Sequence, residues 1–141
     1  MISMEVNEKL PPPLWFTVLF DENHAWREDH FQGCSLQAAA TTLAGHGYLL
    51  ESMLYNNAFF VDAGFAAGRV APVPPAEAYR RGYGGRAERL ELFPHNADVD
   101  VLQMLPPREA VAFLDRLFAP YRGMYTLRVD GDGGDPPPAG R

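Results

Sequence analysis

The residues best suited to chemistry are scattered along this sequence rather than grouped in a familiar pattern. His24 and His30 lie six residues apart in the polar segment HAWREDH. That spacing matches neither the HExxH pair of zinc peptidases nor a Cys/His finger. We therefore expect a solvated loop without a metal ion. A small standalone enzyme built on residues 21–30 is a third hypothesis, weaker than the two that follow from the rest of the sequence.

Three further candidates also lack the partners that their chemistry needs. Cys34 has no Cys/His signature around it, so a small half-buried residue at the start of a helix is expected rather than a nucleophile. The segment RRGYGGR has no Lys to close a phosphate loop and follows no buried strand, which indicates a flexible loop with surface arginines. Asp98 and Asp100 alternate with apolar residues, and we expect them to face water rather than to act as an acid and a base.

A more informative position lies near the start of the chain. Glu5 lies within a short run of strand-forming residues, and Asn7 comes just after it. Ligands of open α/β sheets usually bind at the carboxyl ends of strands, so this position favours a binding role. The alternative is an acid at a strand end that caps a neighbouring loop.

The first half of the chain predicts the order strand, strand, helix, strand, strand. Residues 2–6 and 14–20 are strand-like; the second run is almost wholly apolar, as in a strand buried on both faces or at the edge of a hydrophobic sheet. Apolar residues recur at helical spacing over 33–44, with Ser35 near the start and Gly45 and Gly47 at the end. Residues 48–54 and 58–61 then form the strands of a hairpin, with Asn in the turn.

The second half has fewer clear signals. Residues 62–96 are rich in Gly, Pro and Arg and predict a loop with one short helix near 76–81. Two prolines open a second amphipathic helix that ends at Pro120, and residues 124–129 form a last strand. Residues 131–141 predict a disordered acidic Pro/Gly tail, which leaves one domain over residues 1–130.

Composition limits the classes of partner. The 141 residues have a formal charge of −6, so no basic field is available to bind nucleic acid or anionic lipid. No run approaches the roughly 20 apolar residues that span a bilayer. The single cysteine requires no oxidising compartment, and the cytoplasm is the default location.

Several of these pieces occur in the order found in one family. The segments MEVNEKLPPPLWFTVLF, FQGCSLQAAATTLAGHGYLLESMLYNNAFFVD and AYRRGYGGRAERLELFPHNADVD resemble the C-terminal part of FkbM-type methyltransferase domains. The shared features are an acid at a strand end, a GxSLxAL helix, a GY pair opening the next strand, and an NAFFV strand. Here Ala38 and Ala39 stand where that helix pattern has AL. The resemblance covers roughly residues 2 to 105, and the order of the motifs is its main support.

This resemblance implies a class I, Rossmann-like α/β fold, of which the chain would hold the late strands with their antiparallel hairpin and two main helices. It places Glu5, Asn7 and Asn57 on the side of the methyl acceptor. The family's glycine-rich turn and its ribose-binding acid have no counterpart in this sequence. We therefore expect no cofactor in this chain alone, and S-adenosylmethionine only if an upstream half completes the domain.

Two main hypotheses follow. In the first, the chain is the C-terminal fragment of an S-adenosylmethionine-dependent methyltransferase and is inactive by itself. In the second, it is a non-catalytic interaction module, whose exposed sheet edge is covered by another protein or by a second copy. Neither hypothesis identifies the methyl acceptor.

Overall fold

The computed structural model of the chain describes residues 1–23, 25, 27 and 29–131. It shows a mixed α/β protein with two antiparallel sheets. Apart from Gly131, the predicted tail 131–141 lies outside the described residues.

The first sheet contains β1 (Ile2–Glu5), β3 (Tyr48–Leu54) and β4 (Asn57–Asp62). β4 lies in the middle and is antiparallel to both neighbours, so β1 and β3 run parallel to each other. This arrangement confirms the predicted hairpin. The left-handed residue in its turn is Tyr55, with φ of 53°, rather than an Asn, and Asn57 is already the first residue of β4.

A second sheet pairs β2 (Leu14–Val18) with β5 (Tyr125–Val129), the last strand of the chain. The predicted strands are therefore confirmed, but they do not join one class I sheet as expected. β2 lies outside the first sheet because its side chains Leu14 and Phe16 are buried against α5 (Pro107–Leu117), in a separate core.

The two predicted main helices are the two longest α-helices of the described chain. α1 (Leu36–Ala44) begins at Ser35, whose hydroxyl accepts a hydrogen bond from the backbone N–H of Ala38, as expected of an N-cap. Gly47 follows the helix with φ of +80°, a conformation that favours glycine. α5 begins at Pro107, where the missing N–H is harmless.

The segment 62–103 is more helical than predicted. It contains α2 (Ala63–Ala66), α3 (Pro75–Tyr79), a π-helical turn over Arg80–Gly84, α4 (Arg89–Leu92) and a 3₁₀ helix over Pro94–Gln103. Each element is short, so tertiary contacts rather than a long amphipathic period stabilise it.

The glycines of RRGYGGR are required by packing. A side chain at Gly82 would collide with the backbone carbonyl of Met53 in β3. The carbonyl of Gly82 also accepts a hydrogen bond from the backbone N–H of Tyr55, at 2.9 Å. The predicted flexible loop is therefore a turn packed closely against the hairpin.

The buried apolar residues form two hydrophobic cores. The first packs α1, α3 and the π-helical turn against one face of the first sheet, with Leu36, Phe60 and Tyr83 at its centre. The second packs α5 and the 3₁₀ helix against β2 and β5, around Phe16 and Phe118.

Ser35 connects α1, which packs in the first core, to β2, which packs in the second. Its fully buried hydroxyl donates to the carbonyl of Leu14 at 2.7 Å and accepts from the N–H groups of Phe16 and Ala38 at 3.1 and 3.2 Å. One side chain thus attaches the start of α1 to β2.

We expect Ser35→Ala to lower the free energy of unfolding by about 2–4 kcal/mol, because it removes an N-cap and leaves buried backbone groups unpaired. Urea denaturation followed by circular dichroism measures the change. Ser3→Ala is the matched control, since Ser3 is exposed. Equal stability of the two variants would contradict this role of Ser35.

Candidate functional site

The parallel strands β1 and β3 have their carboxyl ends on the same side of the first sheet, beside the hairpin turn. Glu5 and Asn57 are directly paired neighbours across β1 and β4. Ile2 and Met4 pack against the core with α1, so the alternating Ser3 and Glu5 project from the opposite face. Glu5 is exposed and Asn57 is half-buried. The structure therefore places these two predicted site residues together.

Asn7 has a different environment. It is 1% exposed, and its side-chain amide donates to the carbonyls of His30 and Gln32 at 2.9 and 3.1 Å. Its own N–H donates to the carbonyl of Cys34 at 2.7 Å. Asn7 therefore holds the segment 30–34 against the end of β1 rather than lining the open face with Glu5.

A buried ion pair follows directly after Asn7, and the sequence interpretation missed it. Lys9 Nζ lies 3.6 Å from Glu8 Oε1, and both side chains are at most 5% exposed. Burial lowers the pKa of Lys9, while the carboxylate of Glu8 opposes that shift. A consecutive Glu and Lys at the carboxyl end of a strand was the available signal, but such residues are seldom fully buried.

Side chains from the later part of the chain complete this cluster. Asn96 Nδ2 donates to Glu8 Oε1 at 2.8 Å and to the hydroxyl of Tyr83 at 2.9 Å. The hydroxyl of Tyr79 donates to the Glu8 carbonyl at 2.7 Å and accepts from Gln103 at 2.6 Å. Burial raises the pKa of both tyrosines, so their hydroxyls stay protonated.

This cluster is suited to positioning rather than to contact with a substrate. Glu8, Lys9 and Asn96 are each at most 4% exposed. Their hydrogen bonds fix the segment after β1 to α3, the π-helical turn and the 3₁₀ helix. The exposed Glu5, a few residues earlier, is thereby held on a rigid strand end.

A second group of polar side chains flanks the hairpin turn. The hydroxyl of Tyr55 donates to Glu88 Oε1 at 3.0 Å, and Arg86 Nη1 lies 3.3 Å from the same oxygen. The guanidinium of Arg86 also lies 5.0 Å from the centre of the Tyr55 ring. A backbone N–H and the Tyr55 hydroxyl lower the pKa of Glu88.

The remaining candidates from the sequence are dispersed. His30 Nε2 lies 3.1 Å from Asp98, whose side chain is 69% exposed. Asp100 was expected to face water, but it is half-buried and pairs with Arg89 at 2.7 Å. Cys34 is half-buried, and burial raises the pKa of its thiol, which disfavours the nucleophilic thiolate.

The described ranges contain no group of three or more His, Cys, Asp and Glu side chains placed to hold a metal ion. His24, half of the histidine pair considered above, lies outside them. None of the helices described combines the length and the apolar character that crossing a membrane would need.

Comparison with known proteins gives no relative. No family model, no curated protein and no solved structure matches this chain. Any assignment of function must therefore be argued from the geometry of the chain and from its sequence motifs.

The buried pair gives a direct test of the positioning cluster. Glu8→Gln leaves the Lys9 ammonium buried without its carboxylate, and we expect a loss of about 3–5 kcal/mol in the free energy of unfolding. The double variant Glu8→Gln/Lys9→Met should recover most of that loss.

Urea denaturation of both variants and of a control measures these changes. The control is Glu77→Gln in the exposed pair Glu77 and Arg81, where about 0–1 kcal/mol is expected. If Glu8→Gln behaves like Glu77→Gln, the pair is solvated and the cluster does not anchor the strand end.

Proposed function

We propose that this chain is the C-terminal part of an FkbM-like, S-adenosylmethionine-dependent methyltransferase domain and is inactive by itself. In this proposal an upstream half of the same domain holds the methyl donor. The observation that supports it best is the first sheet, in which an antiparallel hairpin lies beside β1 and no strand in the described part of the chain pairs with the other edge of β1.

The strand order supports the late part of a class I sheet. The resemblance implies a mostly parallel sheet that finishes in an antiparallel hairpin. Here β1 and β3 are parallel, α1 lies between them in the chain, and β4 returns antiparallel between them. The second sheet, β2 with β5, is an addition that the resemblance did not imply.

No strand within residues 1–23, 25, 27 and 29–131 pairs with the edge of β1 that faces away from β4. The N–H of Val6 donates toward β4, to the carbonyl of Asn56, whereas the N–H of Asn7 donates to the opposite side. Backbone groups alternate in this way along an antiparallel strand. The N–H and C=O groups of Ser3 and Glu5 therefore point outward, where earlier strands of a larger sheet would be added.

The face of the sheet opposite α1 is also incompletely covered at this edge. Ser3 and Glu5 are exposed, Phe59 is half-buried, and Leu54 is 46% exposed. A sheet of this class is covered by helices on both faces. An upstream half would supply the helices that cover this face.

The residues present do not form a cradle for S-adenosylmethionine. The sequence has no glycine-rich turn between a strand and a helix and no acid placed for a ribose. In the proposal, Glu5 and Asn57 line the acceptor side, and Asn7 positions the segment behind them.

The open edge equally favours a second candidate, a non-catalytic interaction module. Exposed strand edges pair readily with other chains. In that case another protein or a second copy would cover β1. Size-exclusion chromatography with light scattering tests this second candidate, because a chain that stays monomeric would count against an edge that needs a permanent partner.

We expect the isolated chain to show negligible affinity for S-adenosylmethionine by isothermal titration calorimetry. Binding with micromolar affinity would show that the cofactor site lies within this chain and would overturn the proposal. The sequence encoded immediately upstream of Met1 is the complementary test, and the proposal requires a strand, a glycine-rich turn and a helix there.

With that segment joined to the chain, the roles of the two acceptor-side residues become measurable. Glu5→Ala and Asn57→Ala should lower kcat/KM for methyl transfer by about tenfold or more, with unchanged affinity for S-adenosylmethionine. Ser3→Ala is the control on the same face of β1. Equal activity of all three variants would remove Glu5 and Asn57 from the site.

A further inference from the structure

β5 pairs with β2 on one side, and no other strand in the described part of the chain pairs with it. The backbone N–H of Asp130, just after β5, donates to the carbonyl of Pro13 at 2.8 Å, so Asp130 faces β2. Backbone groups face alternate sides along an antiparallel strand. The N–H and C=O groups of Tyr125, Leu127 and Val129 therefore face the open edge of β5.

β5 lacks the features that usually prevent an edge strand from pairing with other chains. Such features are Pro residues, bulges and charged side chains at the edge. β5 contains no Pro and pairs with β2 without a shift of register. Its one charged side chain is Arg128, whose guanidinium lies 4.0 Å from the ring centre of Trp15 on β2, away from the open edge. β1 is shorter and carries Glu5, so β5 is the edge better suited to pairing between molecules.

α5 borders the open edge of β5. Two open hollows of about 490 and 350 Å³ lie between the helix and the strand, and Leu127 lines both. Asp115 of α5 lines the hollow at the start of β5, whereas Arg108 and Val111 line the hollow at its end. The helix therefore runs antiparallel to β5, and Leu127 is level with the part of α5 between Val111 and Asp115.

The side of α5 that lines these hollows is complementary in charge to itself. Residues three and four positions apart share one side of a helix, and here they are Arg108, Val111, Ala112 and Asp115. Val111 is half-buried, and the other three are exposed. In two antiparallel copies of this side, Arg108 of each helix lies beside Asp115 of the other, and Val111 lies beside Ala112 between them. The hydroxyl of Tyr125 donates to Asp115 Oδ1 at 2.9 Å, and a carboxylate can accept from an arginine as well.

The open edge of β5 is also complementary to itself. When two copies of β5 lie antiparallel with Leu127 opposite Leu127, Tyr125 of each copy lies opposite Val129 of the other. The backbone groups of all three residues face outward, so this register gives every one of those groups a hydrogen-bond partner. Strands lie about 4.8 Å apart, and a two-stranded half is therefore about 10 Å wide. Helices pack at about 8–10 Å, so the same register brings the two α5 helices to packing distance.

We propose that the open edge of β5, with the side of α5 that carries Arg108 and Asp115, binds a second copy of this chain. A two-fold axis at Leu127 pairs β5 with its counterpart and joins the two small sheets into one of four strands, in the order β2-β5-β5-β2. The same axis places the two α5 helices side by side, with two ion pairs between Arg108 and Asp115. This interface lies on a different sheet from β1 and does not depend on an upstream half.

Two charge variants and their mixture test the interface. Arg108→Asp places two aspartates together at each contact, and Asp115→Arg places two arginines there, so each variant alone should raise the Kd of the dimer about tenfold or more. Mixed in equal amounts, the two variants should associate with each other, because both contacts then join an Arg and an Asp again. Sedimentation velocity from about 10 µM to about 1 mM measures the association. The controls of equal charge change are Arg69→Asp and Glu91→Arg, which are exposed and outside both hollows.

Amide hydrogen exchange reports on the strand pairing itself. In the dimer the amides of Tyr125, Leu127 and Val129 should exchange about a hundredfold or more slowly than in the monomeric variant Arg108→Asp. Equal protection of these amides in the monomeric variant would mean that the chain itself covers the edge, and would overturn the proposal.

Three results of the sedimentation experiment would also overturn it. The first is an unchanged chain that stays monomeric up to about 1 mM. The second is a mixture of the two charge variants that fails to associate. The third is association that persists in each variant alone, which would place the contact elsewhere, as at β1. The proposed function fails separately, if the isolated chain binds S-adenosylmethionine.

Discussion

Backbone N–H and C=O groups need hydrogen-bond partners, and at the edge of a sheet those partners must come from water or from another strand. In this protein the requirement falls on β1. One side of the strand is paired with β4, while none of the described strands pairs with the outward groups of Ser3 and Glu5. Short length and the exposed charge of Glu5 limit uncontrolled pairing along this edge. The need for a neighbouring strand supports the proposed upstream half of the methyltransferase domain.

The end of the same strand is, by contrast, held firmly. Asn7 binds the segment 30–34, and Glu8 is held by Lys9, Asn96 and Tyr79. A buried ion pair is costly unless hydrogen bonds satisfy its atoms. These bonds connect the first core to the 3₁₀ helix that packs in the second core. One edge of β1 is thus open for pairing, while its carboxyl end is fixed, and this combination allows an added strand to position Glu5 and Asn57.

The sequence alone predicts those elements whose signals lie within a few neighbouring residues. The helix over 36–44 and the hairpin over 48–62 follow from apolar spacing and from turn residues within a few positions. The separate second sheet was not predictable in this way, because β2 pairs with a strand at the other end of the chain. The helical turns of 62–103 were missed because each depends on contacts, such as Gly82 against Met53, rather than on its own propensity. Of the candidate site, Glu5 and Asn57 were predicted from strand position and resemblance and stay predictions. The buried Glu8 was missed because charged residues are usually exposed.

Amide hydrogen exchange of the isolated chain tests most directly whether the outward edge of β1 is open. The amides of Ser3 and Glu5 should exchange within about tenfold of the rate of an unstructured peptide. Those of Met4 and Val6, which face β4, should be slower by about a hundredfold or more. Protection of Ser3 and Glu5 equal to that of Met4 and Val6, in a chain shown to be monomeric, would mean that the edge is already covered and would contradict the account.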